Sequence, residues 1–139
     1  MRPAVALVVL GASLLVPPLA AQEGLDARAE SARLALERGD PTRLIGQSRR
    51  LLVQLPDADP SAPVDRAQAV ALLDGFFRGT EGIGTTIRAA RRVTPETGYV
   101  ELVRRFRVVG TAEVRRQTVL LSFRRQGESW QLVEVRVSS

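Results

Sequence analysis

Residues 99–109 (YVELVRRFRVV), 112–125 (AEVRRQTVLLSFRR) and 129–137 (SWQLVEVRV) alternate β-branched or aromatic side chains with polar ones, and Gly110-Thr111 and Gln126-Gly127 punctuate them as turns. A fourth run, 83–93 (IGTTIRAARRV), joins them across Thr94-Pro95-Glu96-Thr97-Gly98. Together they predict four consecutive antiparallel strands. Two-residue turns pair Val109 with Ala112 and Arg125 with Glu128. That register sends Val100, Leu102, Phe106, Val108, Val119, Leu121, Phe123, Trp130 and Leu132 to one face, which is the better core wall. Tyr99, Val103, Arg105, Arg107, Leu120, Val133, Val135 and Val137 fall on the other.

The same register places Arg104, Arg115, Gln117, Glu134 and Arg136 on the core-facing side, gathered toward one end of the sheet. Buried charge is expensive unless paired, so that end is expected to open to water or to hold a compensated network. The plainer reading is a solvated rim in which Arg104 or Arg136 pairs with Glu134. A slip of one residue would exchange the faces and dissolve the cluster. The opposite face, with its Val133/Val135/Val137 edge among arginines, reads either as a homodimer surface or as an ordinary amphipathic exterior.

Helical periodicity occupies the chain before these strands. Leu25, Ala29, Ala32, Ala35 and Leu36 share a stripe over 25–38, and Gly39 follows as a left-handed stop. Asp40-Pro41 opens a short helix over 41–47 as N-cap and first helical residue. Arg49 to Leu55 reads as a short strand, and the Pro-rich 56–63 as a loop. Asp65 with Gln68 forms a capping-box pattern before an apolar helix through Phe77, whose wide buried face is expected to make it the main helix across the sheet. Helices first and strands last indicate an α+β domain.

Composition narrows the chemistry. The 139 residues contain no His and no Cys, so the chain's own side chains cannot supply a Ser-His or Cys-His couple, a thiolate nucleophile or a His-ligated metal. No cofactor motif is present. Gly79-Thr80-Glu81-Gly82-Ile83-Gly84 follows a helix and precedes a strand, the reverse of a phosphate loop. Asp57 and Asp59 lack the spacing of a calcium loop. All basic residues are arginine. Residues 22–82 carry eight against ten acids, whereas residues 83–139 carry eleven against five. The five Arg doublets divide their charge between strand faces, and six aromatic residues supply few stacking platforms, which speaks against nucleic acid.

Met1-Arg2, the apolar run Pro3 to Leu15 and Val16-Pro17-Pro18-Leu19-Ala20-Ala21 have the layout of a secretory signal peptide cut after Ala20 or Ala21. The expected organisation is a signal over 1–21 and a single domain over 22–139, periplasmic or secreted, with no membrane span after cleavage.

Three stretches resemble a bacterial exported family, domain of unknown function 4783. They are Leu34-Ala35-Leu36-Glu37-Arg38-Gly39-Asp40, Arg66-Ala67-Gln68-Ala69 leading to Leu73-Asp74-Gly75-Phe76-Phe77, and Trp130-Gln131-Leu132-Val133-Glu134-Val135-Arg136. The element order is similar to the wider nuclear-transport-factor-2-like (cystatin-like) superfamily. The resemblance implies a cone-shaped curved antiparallel sheet covered by N-terminal helices, without an established activity. Isomerases and dehydratases of that superfamily hold acid/base side chains, often Asp or His, in the cone.

Three functional readings result. The first is an exported non-enzymatic domain binding a small anionic ligand, or a protein partner, through Arg104, Arg115, Gln117, Glu134 and Arg136. Arg would hold the anion by charge-assisted hydrogen bonds, Gln117 would orient it and Glu134 would set the Arg geometry. The second is an isomerase or dehydratase with Glu134 as general base, weakened because neighbouring arginines lower a carboxyl pKa. The third is a homodimeric structural module. No cofactor or metal is expected in any of them.

Overall fold

The computed structural model describes residues 18–59 and 62–139. Most of the expected signal segment, residues 1–17, lies outside them, as do Pro60 and Ser61 of the Pro-rich loop. Helix α1 (Pro18–Arg38) leads into α2 (Pro41–Ile45), β1 (Arg50–Gln54), β2 (Val64–Asp65) and α3 (Arg66–Phe77). Four long strands follow: β3 (Thr80–Arg92), β4 (Thr97–Val108), β5 (Val114–Gln126) and β6 (Ser129–Ser138). Together with β1 and β2 they build one six-stranded, unclosed sheet in the order β2-β1-β6-β5-β4-β3. The meander is antiparallel as expected, and β1 extends it by pairing parallel with β6.

The helix ends obey their local chemistry. Arg43 N donates to Asp40 Oδ1 at 3.1 Å, with Pro41 opening α2, and Gly39 turns the chain at φ 61°. At α3, Gln68 N donates to Asp65 Oδ1 at 2.8 Å while Asp65 N donates to Gln68 Oε1 at 3.1 Å, so the capping box closes.

Which helix covers the sheet departs from expectation. The long cover is α1, which starts earlier than its stripe suggests and lies on β3, β4 and β6 through Leu25, Ala29, Ala32, Ala35 and Leu36. Its alanines let the helix backbone approach the strands closely. The meeting is tightest at Gly82, where a Cβ would stand 2.6 Å from the Glu37 carbonyl oxygen. Helix α3 instead packs on α2, β1 and β2, leaves Leu72 exposed, and swings Phe76 and Phe77 to one end of the sheet.

The β4–β5 register matches the expectation, since Leu102 faces Val119 and Phe106 faces Arg115, although the connection is longer than two residues. The β5–β6 register does not. Arg125 pairs with Trp130, and the tight turn falls on Gly127-Glu128, where Gly127 supplies φ 63°. Farther along, Phe123 faces Leu132 but Ser122 faces Glu134. Val133 is thus an extra residue, a β-bulge that flips every later side chain of β6. Val135 and Val137 enter the core, and Glu134 and Arg136 turn outward. The proposed Val133/Val135/Val137 dimer edge therefore does not exist as a surface. Only Val133 is exposed, at 36%.

Trp130, Leu121 and Phe106 are buried beneath the helices, as the assignment of the core face requires. Among the described residues, no helix is long and apolar enough to cross a membrane.

Candidate functional site

The five residues expected to form one cluster separate into three places. Arg104 and Gln117 are direct cross-strand partners on the inner face of β4 and β5. Arg115 lies at the open end of β5, exposed, and pairs with Glu113 at 3.2 Å. Glu134 and Arg136 pair with each other at 2.8 Å on the outer face, where the bulge at Val133 has put them. Glu134 consequently neither orients Arg104 nor reaches the interior as a base.

Arg104 is the unusual member. Its side chain is 1% exposed, and among the described residues no carboxylate pairs with it. Nη2 donates to Thr80 Oγ1 at 2.9 Å, and Nη1 makes a long contact of 3.4 Å with Gln117 Oε1. The Thr80 hydroxyl is fixed because it donates in turn to the Phe77 carbonyl at 2.7 Å. Three aromatic faces surround the guanidinium, with Phe106, Phe77 and Phe76 centroids 5.0, 5.2 and 5.9 Å from Cζ. Their quadrupoles offset part of the desolvation of the cation. Burial still lowers the Arg104 pKa from its ordinary value. Nε is buried with no hydrogen-bond partner.

Beside the guanidinium lies a hollow of about 250 Å³ lined by Glu37, Gly39, Phe77, Thr80, Gly82 and Arg104, together with Arg38 and Glu81. Glu37 Oε1 accepts from Thr85 N at 3.1 Å and from Arg33 Nη1 at 2.8 Å, which ties the end of α1 to β3. The hollow therefore offers the desolvated Arg104 cation, the Thr80 hydroxyl and one aromatic wall, Phe77, with the carboxylates of Glu37 and Glu81 at its edge. Such a set suits a small anion with an apolar portion.

Sequence reasoning reached Arg104 and Gln117 because alternation fixes the face of a strand residue. It missed Thr80 and Glu37, which come from segments read as a connection and as a helix surface. Their meeting with β4 depends on chain crossing, and no local pattern carries it. A wider hollow of about 480 Å³ lies against Tyr99, Leu120, Ser122 and Val133. It is open and holds no buried, unpartnered polar side chain. Among the described residues, no group of three or more His, Cys, Asp or Glu side chains could hold a metal ion.

A second guanidinium is half-buried on α1. Arg28 stacks 5.3 Å from the Phe123 centroid and lies against Gly46, where a Cβ would meet Nη1 at 3.4 Å; desolvation lowers its pKa too.

By sequence, no family model and no curated protein matches the chain. Solved structures do match. A DUF4783 family protein from Bacteroides uniformis superposes with a TM-score of 0.63 at 14% identity, covering 79% of this chain and 94% of that one. A ketosteroid isomerase-like protein from Erwinia carotovora atroseptica gives 0.68 at 15% identity, covering 84% and 94%. A candidate dehydratase of the NTF2-like family from Streptomyces avermitilis gives 0.66 at 18% identity, covering 87% and 96%. The helix-covered curved sheet is accordingly the NTF2-like, cystatin-like fold, and the resemblance read from the sequence holds at the level of that fold.

Proposed function

We propose that this chain is an exported, non-enzymatic domain that binds a small organic anion, a carboxylate with an apolar body, on Arg104. The observation that carries this reading is a buried guanidinium with no acidic partner among the described residues, an unpartnered Nε–H and an adjoining hollow. A charge kept out of water and left unpaired is costly, and an incoming carboxylate removes that cost while gaining charge-assisted hydrogen bonds. Phe77 supports the apolar body of the ligand. Export rests on the N-terminal sequence pattern.

The fold is shared with proteins described as isomerase-like and as a candidate dehydratase. Catalysis is disfavoured here because Glu134 lies outside the cone and the Oε1 of Glu37 is occupied by Thr85 and Arg33. The test is a thermal-shift and NMR titration of the purified protein with a panel of small carboxylates, phosphate and neutral isosteres. Stabilisation by carboxylates, absent with neutral isosteres and in Arg104→Met, is the expected result. Equal response of wild type and Arg104→Met would overturn the site, and turnover lost on Glu37→Gln would favour the enzyme.

A further inference from the structure

The sequence leaves two positions for removal of the leader, after Ala20 or after Ala21, and the fold distinguishes them. Trp130, 4% exposed, donates its indole Nε1–H to the backbone carbonyl of Ala21 at 2.9 Å. Ala21 itself is 3% exposed and belongs to the core cluster, whereas Leu19 and Ala20 are exposed. The ring of Trp130 also sits on Gly24, where a Cβ would stand 3.4 Å from Cδ1. One residue on from Ala21, Gln22 Nε2 donates to the carbonyl of Ala90 on β3 at 3.1 Å and to Asp26 Oδ1 at 2.8 Å. The folded domain thus begins at Ala21. Ala21 and Gln22 are fastened to β6 and β3, whereas Leu19 and Ala20 are exposed.

We propose that the leader is removed by hydrolysis of the Ala20–Ala21 peptide bond, and that the cut precedes docking of α1 onto Trp130. The inference rests on the export reading and sharpens it. Water adds across the bond, leaving a carboxylate on Ala20 and an ammonium on Ala21. A cut one residue later would delete the carbonyl that satisfies the buried indole N–H and the methyl that fills the core beside it. A cut at Ala20–Ala21 keeps both and leaves Glu23 in the first turn of the shortened helix, where a negative charge suits the helix dipole. Timing follows from conformation. In the folded chain the bond lies inside helical Pro18–Arg38, and a peptidase needs it extended.

Two measurements on the full-length chain test this. The gene is expressed in a Gram-negative host, and the fractionated product is read by intact mass and N-terminal sequencing. A periplasmic chain beginning at Ala21 is expected. A chain beginning at Gln22 or later would overturn the assigned bond while leaving export standing. An unprocessed cytoplasmic chain would overturn the export reading, and the cut with it. Separately, full-length precursor is offered to purified signal peptidase either folded or freshly diluted from urea. The folded form is expected to be cut at least ten-fold more slowly, and equal rates would overturn the claimed order of events.

Discussion

Replacing Arg104 with Met separates a guanidinium poised for a ligand from one that holds the fold together. The native side chain makes one good hydrogen bond, to Thr80 at 2.9 Å, worth about 1.5–3 kcal/mol for a charged donor. Its contact with Gln117 at 3.4 Å lies beyond the usual range and contributes little. The three ring faces add roughly 0.5–2 kcal/mol each, the upper figure applying where the cation is desolvated. Against this stands the desolvation of a buried, unpaired cation, several kcal/mol even after relaxation, on the order of 4–5. Met fills much of the same length and regains about 0.3–1.5 kcal/mol from sulfur–aromatic contact. Thr80 keeps its bond to the Phe77 carbonyl, so no buried donor is stranded.

These opposing contributions are of similar size, and Arg104→Met should stay within about 2 kcal/mol of wild type without ligand. Urea unfolding followed by Trp130 fluorescence reads the difference, since a slope of about 2 kcal/mol per M turns 2 kcal/mol into a midpoint shift of about 1 M. With carboxylate at a hundred-fold excess over Kd, wild type should gain about 2.7 kcal/mol and the variant none. A loss of 3 kcal/mol or more in the ligand-free variant would refute the reasoning, because the guanidinium would then be a structural brace.

Other substitutions test the register and the packing. Val135→Arg puts a charge into the core and should cost about 3–5 kcal/mol or abolish folding, while Val133→Arg on the bulge should change stability by no more than about 0.5 kcal/mol in the same urea assay. Equal effects would mean that the bulge is misplaced. Gly82→Ala drives a methyl against the Glu37 backbone carbonyl and should cost about 1–3 kcal/mol by differential scanning calorimetry, whereas Gly84→Ala meets nothing within 4 Å and should not show that clash. Asp65→Ala removes the acceptor for Gln68 N and should lower stability by about 1 kcal/mol, with the loss seen as faster amide exchange in the first turn of α3.

Local and periodic signals were enough for much of this molecule. Alternation along β4 and β5 assigned their faces correctly, so Leu102, Phe106, Val119 and Leu121 could be placed in the core and Arg104 beside Gln117. Side-chain acceptors at Asp40 and Asp65 marked two helix starts, because a cap is satisfied within three residues of itself. The absence of His and Cys likewise limited the available chemistry before any fold was considered.

Contacts between distant segments belonged to the tertiary structure. The bulge at Val133 shows in WQLVEVRV only as a change of apolar parity, from Trp130 and Leu132 to Val135 and Val137, which strict alternation does not accommodate; pairing of β6 with β1 and β5 brings both sets into the core, and Glu134 and Arg136 leave the site with it. The covering helix is α1 because its alanines and Gly82 allow a backbone approach that the bulkier face of α3 does not. The candidate site is likewise assembled from Thr80, Phe77, Arg104 and Gln117, brought together by chain crossing. Sequence period reports which way a side chain points within its own element, and only packing decides what it meets there.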